Sequence, residues 1–210
     1  MRLTEGTAEL VGVLIGDGWI YRSHGKYQIG FVGNRETDKE YYDYLKDLIQ
    51  AEWKKEVKIK FREGGIRIVI DSKEICAFLT DDLGIFHGEG KCEKVEIPKK
   101  ILADWGLARK TIRGIADTDG SVFVAKKKGF EKYPSIEITT CSLKLAEQLK
   151  GALLERGFRV ANLWHYKSKT GRRTTYKIPL NGKENVRKWL EEIGFSNLYK
   201  LSRAVTYTKE

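Results

Sequence analysis

Two aspartates about a hundred residues apart, Asp17 and Asp119, sit in the same local setting. The first closes Leu10-Val11-Gly12-Val13-Leu14-Ile15-Gly16-Asp17-Gly18, and the second closes Ile112-Arg113-Gly114-Ile115-Ala116-Asp117-Thr118-Asp119-Gly120. Gly12, Asp17 and Gly18 match Gly114, Asp119 and Gly120 at one offset of 102 residues. Each copy reads as an apolar helix ending in an acid and a glycine. Gly12 and Gly16 stand four apart, as do Gly114 and Thr118, so each helix carries a small-residue stripe along which two backbones can approach. Packed on those stripes, the helices bring Asp17 and Asp119 together at their C-terminal ends. Acids there oppose the helix dipole and repel each other, and a divalent cation offsets both costs. A lone Asp-Gly after a helix is an ordinary turn, and Asp117-Thr118-Asp119-Gly120 lacks the further ligands of a calcium loop. Two copies in register are a different matter.

The elements that must hold these acids repeat as well. Trp19–Arg22 and Tyr27–Val32 read as a hairpin, followed by a helix from Thr37 to Trp53. Val57–Arg62 alternates strictly, turns at Glu63-Gly64-Gly65 and returns as Ile66–Ile70. Ser72 then opens a helix, Lys73 to Leu83, stopped by Gly84. In the second half, Ser121–Ala125 and Ser135–Thr140 form the first hairpin, and Ser142 opens a helix to Arg156. Arg159–Tyr166 and Thr174–Leu180 form the second hairpin, and Lys183–Ile193 is a helix stopped by Gly194. That last helix matches the first-half one at an offset of 110, with Lys73-Glu74 against Lys183-Glu184 and Gly84-Ile85 against Gly194-Phe195. The order helix, two strands, helix, two strands, helix occurs twice, which is an internal duplication. The expected fold is α+β, with two αββαββα halves, 1–97 and 98–210, and two four-stranded antiparallel sheets.

Strand alternation assigns faces. Lys58, Lys60, Arg62 and Arg67 fall outward in the first half, and Thr175 and Lys177 in the second. Gln28, Ser135, Glu137 and Thr139 are outward in the leading hairpins. Tyr21, Ser23, Asn34, Arg35, Lys127, Lys169, Arg172 and Arg173, on the same hairpins and their turns, complete the candidate contact set. The acids Asp38, Glu40, Asp43, Asp47 and Glu52 lie instead on the helix. Lys and Arg on such a face would neutralise phosphates, and the polar side chains would read base edges, since a two-stranded ribbon fits the major groove. Exposed strand lysines also serve simply to block edge pairing, but four hairpins with one facing sense exceed that need.

Charge agrees. The 210 residues carry 39 Lys and Arg against 29 Asp and Glu, a formal net charge of +10. Residues 1–105 hold 17 basic and 19 acidic side chains, whereas residues 106–210 hold 22 and 10. A polyanion is the natural partner. Cys76, Cys92 and Cys141 form no C-x-x-C pair, and His24, His87 and His165 are scattered, so zinc is not expected and a reducing, cytoplasmic setting is. No signal peptide or membrane span is read.

The twin motifs resemble the two signature motifs of single-chain LAGLIDADG homing endonucleases, and the resemblance runs from about Thr7 to Tyr207. The second copy is nearer the signature; the first departs at Ile15 and Gly16. The resemblance implies a DNA-binding saddle and a double-strand break across the minor groove of a long duplex target. It implies two or three divalent cations, Mg²⁺ with Mn²⁺ able to substitute, on Asp17 and Asp119, assisted by the carbonyls of Gly16 and Thr118. Lys91 and Lys200 fall where the family places peripheral catalytic lysines. The polar position after the second strand falls on Asn34 or Arg35, and on Thr140 or Cys141. No splicing residues flank the chain, so a free-standing, intron-encoded monomer without an obligate protein partner is expected. Two alternatives use the same scaffold, an RNA-binding maturase and a non-cleaving DNA-binding regulator. Both acids being present disfavours the regulator, which has no need of adjacent carboxylates facing phosphates.

Overall fold

The computed structural model describes residues 1–167 and 173–209, with the backbone alone for residues 130–132. The first half runs α1 (Glu5–Ile15), β1 (Gly18–Ser23), β2 (Lys26–Asn34), α2 (Lys39–Trp53), β3 (Lys60–Arg62), β4 (Gly65–Asp71) and α3 (Lys73–Ala77). Two short helices follow, α4 (Lys91–Lys94) and α5 (Lys99–Leu102). The second half runs α6 (Trp105–Asp119), β5 (Gly120–Lys127), β6 (Phe130–Thr140), α7 (Leu143–Glu155), β7 (Trp164–Lys167), β8 (Thr174–Asn181) and α8 (Lys183–Glu192), and ends in α9 (Leu198–Thr208). The antiparallel sheets have the orders β1-β2-β4-β3 and β5-β6-β8-β7, one the topological copy of the other.

Local chemistry sets the boundaries. The Ser72 and Ser142 hydroxyls accept from the amides of Ile75 and Leu145, capping α3 and α7 as their positions before each helix predict. The helix from Lys73 widens at its end, against expectation, because Phe78–Asp82 forms a single π turn closed by the Leu83 amide on the Phe78 carbonyl. Gly84 then leaves it at φ 72°, a conformation that a side chain would strain.

Two expected strands are shorter than their alternation. Val57 is buried and Ile59 packs against the core, so their pattern is satisfied by packing, and pairing with β4 begins only at Lys60. Likewise Val160 and Leu163 pack on the core, Val160 makes one isolated bridge to Leu180, and β7 begins at Trp164. Inward residues form the core as read: Ile29 and Phe31 of β2, Ile66, Ile68 and Ile70 of β4, Ile136 and Ile138 of β6, and Ile178 and Leu180 of β8 are all buried.

α1 and α6 join the halves, and glycine makes the joint. A Cβ on Gly12 would lie 2.1 Å from the Thr111 carbonyl oxygen, and one on Gly114 would lie 2.4 Å from the Glu9 carbonyl oxygen. At Gly16 it would meet the Thr118 hydroxyl at 2.0 Å. The Thr111 hydroxyl donates across the joint to the Ala8 carbonyl at 2.8 Å.

Candidate metal and nucleic-acid site

Asp17 follows α1 and Asp119 ends α6, so the joint fixes both carboxylates. Asp119 Oδ2 lies 3.2 Å from where a Gly16 Cβ would stand, which places this carboxylate against the residue preceding Asp17. Burial raises the Asp17 pKa, and burial together with the Asp17 charge pushes Asp119 up to about 7. Asp17 opens into a cleft of about 750 Å³ lined by Val32, Gly33 and Asn34 of β2 and by Gly120 to Phe123 of β5. Both sheets therefore border Asp17.

Each half also sends a lysine to the end of its own motif helix. Lys91 Nζ, from α4, donates to the carbonyls of Gly16 (2.9 Å) and Gly18 (2.6 Å). Lys200 Nζ, from α9, donates to those of Ala116 (2.9 Å), Asp117 (2.7 Å) and Thr118 (2.9 Å). A cation on carbonyls at a helix C-terminus is favourable in itself. Burial lowers both lysine pKa values, Lys91 to about 8, against the opposing pull of the nearby aspartates. An ammonium has three donors, so Lys200 has spent all of its own on backbone while Lys91 keeps one. The carbonyls of Gly16 and Thr118, expected as metal ligands, already accept from these lysines.

The donor set suits a particular kind of cation. Among the described residues no group of three His, Cys, Asp or Glu side chains is placed to hold a metal. Two carboxylates without a protein cage fit an ion that keeps water and takes phosphate oxygens, as Mg²⁺ does.

The segment that delivers Lys200 is anchored by a residue that sequence reading did not select. The Asp117 carboxylate is buried and accepts from the amides of Ser196 (3.0 Å) and Asn197 (3.2 Å). The Asn197 side chain caps α9 by accepting from the amides of Tyr199 and Lys200, and its Nδ2 donates to Asp38 at 3.1 Å. Buried Glu9 completes the tie between halves, accepting from Tyr44 (2.8 Å) and Ser196 (2.5 Å), with Arg113 at 3.5 Å. Ile15 occupies the equivalent of Asp117 in the first motif, so this anchor is one-sided; that Asp-for-Ile difference is its only trace in the sequence. Asp117→Asn turns an amide N–H₂ toward a buried backbone donor. Hydrogen exchange at the Ser196 and Asn197 amides is then expected to quicken by about tenfold or more, which amide-resolved exchange by NMR would measure.

The expected contact residues divide. Strand pairing puts Tyr21, Gln28, Lys60, Arg62 and Arg67 on the helix-free face of the first sheet, and Glu137, Thr139, Thr175 and Lys177 on that of the second. Gln28 donates to Asp71 at 2.8 Å, and Lys177 pairs with Glu137 at 2.6 Å. Ser23 is bonded to the His24 ring, and the Arg35 guanidinium lies over Phe61. Asn34 spends its carbonyl on the amides of Glu36 and Thr37, shaping the turn into α2. Thr140 is buried, its hydroxyl accepting from the Ser142 amide, and Cys141 is half-buried. Lys127 stands over Tyr133 at the hairpin end, and Arg173 reaches Glu93 of α4 at 3.4 Å. Two expectations are corrected. Ser135 is 0% exposed, held on its sheet between Phe123 and Asn181, so it cannot reach a groove. Lys58 precedes β3 and lines a separate groove with Lys46, Asp47 and Gln50 of α2. Lys169 and Arg172 lie outside the described residues.

Comparison with known proteins places this geometry. The LAGLIDADG-like domain family matches residues 107–194. The chain is 34% identical over 210 residues to part of a replication factor C small subunit of Methanocaldococcus jannaschii, covering 98% of this chain and 10% of that protein. It is 26% identical to part of a tRNA-splicing ligase RtcB of Methanopyrus kandleri, covering 90% of this chain and 20% of that protein. The chain thus spans a fifth or less of the length of either relative. Among solved structures, I-DmoI in complex with DNA and Mn superposes with a TM-score of 0.63 at 15% identity, covering 92% of this chain and 98% of that one. Residues 107–194 are a LAGLIDADG-like domain, and the whole chain has the two-motif LAGLIDADG fold of the single-chain homing endonucleases.

Proposed function

We propose that this protein is a site-specific DNA endonuclease of the homing type, making a metal-dependent double-strand break in a long duplex target. The observation that carries the reading is the approach of Asp17 and Asp119, one from each half, at the joint, beside a cleft that Asp17 opens into and both sheets border. Asp17 and Asp119 would hold the divalent cations, with Mg²⁺ expected and Mn²⁺ able to replace it. Bound there, the cations would lower the pKa of an attacking water and stabilise the leaving 3′-oxygen. Of these two lysines, Lys91 has the N–H left, among the described residues, to meet a phosphate or its water, and Lys200 acts as a fixed positive charge. Since one chain supplies both carboxylates, a monomer suffices.

Solved I-DmoI complexes contain DNA with Mn or Ca, which supports the choice of partner and metal. One segment recurring within proteins named for unrelated activities supports a mobile module inserted in host genes. The test is incubation with a randomised duplex library in Mg²⁺ and sequencing of the ends produced. A single long target cut on both strands, and not cut in excess chelator, is expected; intact duplex under all conditions would overturn the reading.

Binding itself is expected to be salt-sensitive. Lys60→Ala and Arg67→Ala should each lower the slope of log K against log salt by about one if both neutralise phosphate. A gel-shift titration in Ca²⁺ at several salt concentrations reads this directly.

A further inference from the structure

The two helix-free sheet faces differ in chemistry. The first presents Lys60 and Arg62 exposed on β3 beside Arg67. On the second, β8 has one cation, Lys177, and it is engaged, 2.6 Å from Glu137 and 5.7 Å from the Trp164 ring centroid. The second face also exposes large aromatic side chains. Trp164 is 58% and Tyr166 49% exposed, and their rings stack at 6.2 Å with an interplanar angle of 16°. Register pairs them with Lys177 and Thr175, so both point to the same side as Glu137.

An exposed, stacked aromatic pair on a strand is surface that a contact covers. The ring faces carry no charge to neutralise phosphate, so the surface they offer suits an apolar part of the partner. In the major groove that part is the thymine 5-methyl group, the apolar feature that distinguishes T from C at a base edge. We propose that Trp164 and Tyr166 determine specificity by packing on thymine methyl groups, so that the half of the target under the second sheet is chosen for thymine. The proposal rests on the DNA-binding reading above and adds what one half of the protein selects.

The experiment compares binding of the full chain, in Ca²⁺ and at fixed salt, to poly(dA-dT) and poly(dA-dU) duplexes of equal length. These differ only in the 5-methyl group. Wild type is expected to prefer the thymine duplex by about fourfold or more, the worth of roughly one buried methyl. Trp164→Ala combined with Tyr166→Ala should bring the ratio close to one while leaving the salt slope unchanged, because no phosphate contact is lost. Trp164→Phe, which keeps a ring, should retain most of the preference and guards against misfolding of the double variant. Equal wild-type affinity for both duplexes would overturn the proposal and leave the DNA-binding reading standing. Tighter binding of single-stranded oligo(dT) than of either duplex would also overturn it, assigning the rings to base stacking. Binding to none of the three would overturn both readings.

Discussion

Asp17→Asn and Asp119→Asn are each expected to slow double-strand cleavage of the selected target by roughly a thousandfold or more, with DNA affinity in Ca²⁺ within about threefold of wild type. The substitution keeps the shape of the side chain and removes the charge that a divalent cation needs. It also removes one of two like charges whose proximity raises the pKa of Asp119. A phosphate approaching the cleft meets less repulsion, so binding does not suffer. Because the carboxylates come from different halves, each variant should leave any residual activity as a nick. Plasmid linearisation against nicking, followed with time, separates the two outcomes, and wild-type linearisation by either variant would contradict the assignment.

Gly114→Ala should destabilise the protein by about 3 kcal/mol, at the upper end of overpacking costs. The added Cβ would stand 2.4 Å from the Glu9 carbonyl oxygen and 2.7 Å from the Val13 amide nitrogen. Both are backbone atoms, so no rotamer change relieves the clash and α1 must move off α6. Movement of that joint separates Asp17 from Asp119, so activity should fall along with stability. A loss of roughly 10 °C in Tm by calorimetry is expected for a chain of this size. Gly151→Ala is the internal control. It lies in α7 with nothing within 4 Å of its added Cβ, and it should be neutral or slightly stabilising. A Gly114→Ala Tm within a degree of wild type would mean that the joint is not tightly packed.

The part of this architecture legible in the sequence is the part that repeats or alternates. The 102-residue offset gave the twin helices, Gly12, Gly16, Gly114 and Thr118 gave their contact, and the serines gave two helix starts. What escaped depends on contacts between residues far apart in the chain. Ser135 alternates outward correctly, yet its neighbours across the sheet, Phe123 and Asn181, leave it no exposed surface. Lys58 keeps the strand pattern, but Val57 is buried in the core before pairing begins. The α9 helix is placed by Asp117 through bonds to residues 79 and 80 positions away. For the same reason the positions of Lys91 and Lys200 were readable, but not that one keeps a free donor and the other none.

The measurement that bears most directly on the central claim is an anomalous diffraction map of the protein crystallised with its selected duplex and Mn²⁺. Manganese coordinated directly by an oxygen of Asp17 and an oxygen of Asp119, with a phosphate oxygen completing the shell, is the predicted result. Manganese bound elsewhere, with neither carboxylate in its shell while the duplex occupies both sheets, would contradict it.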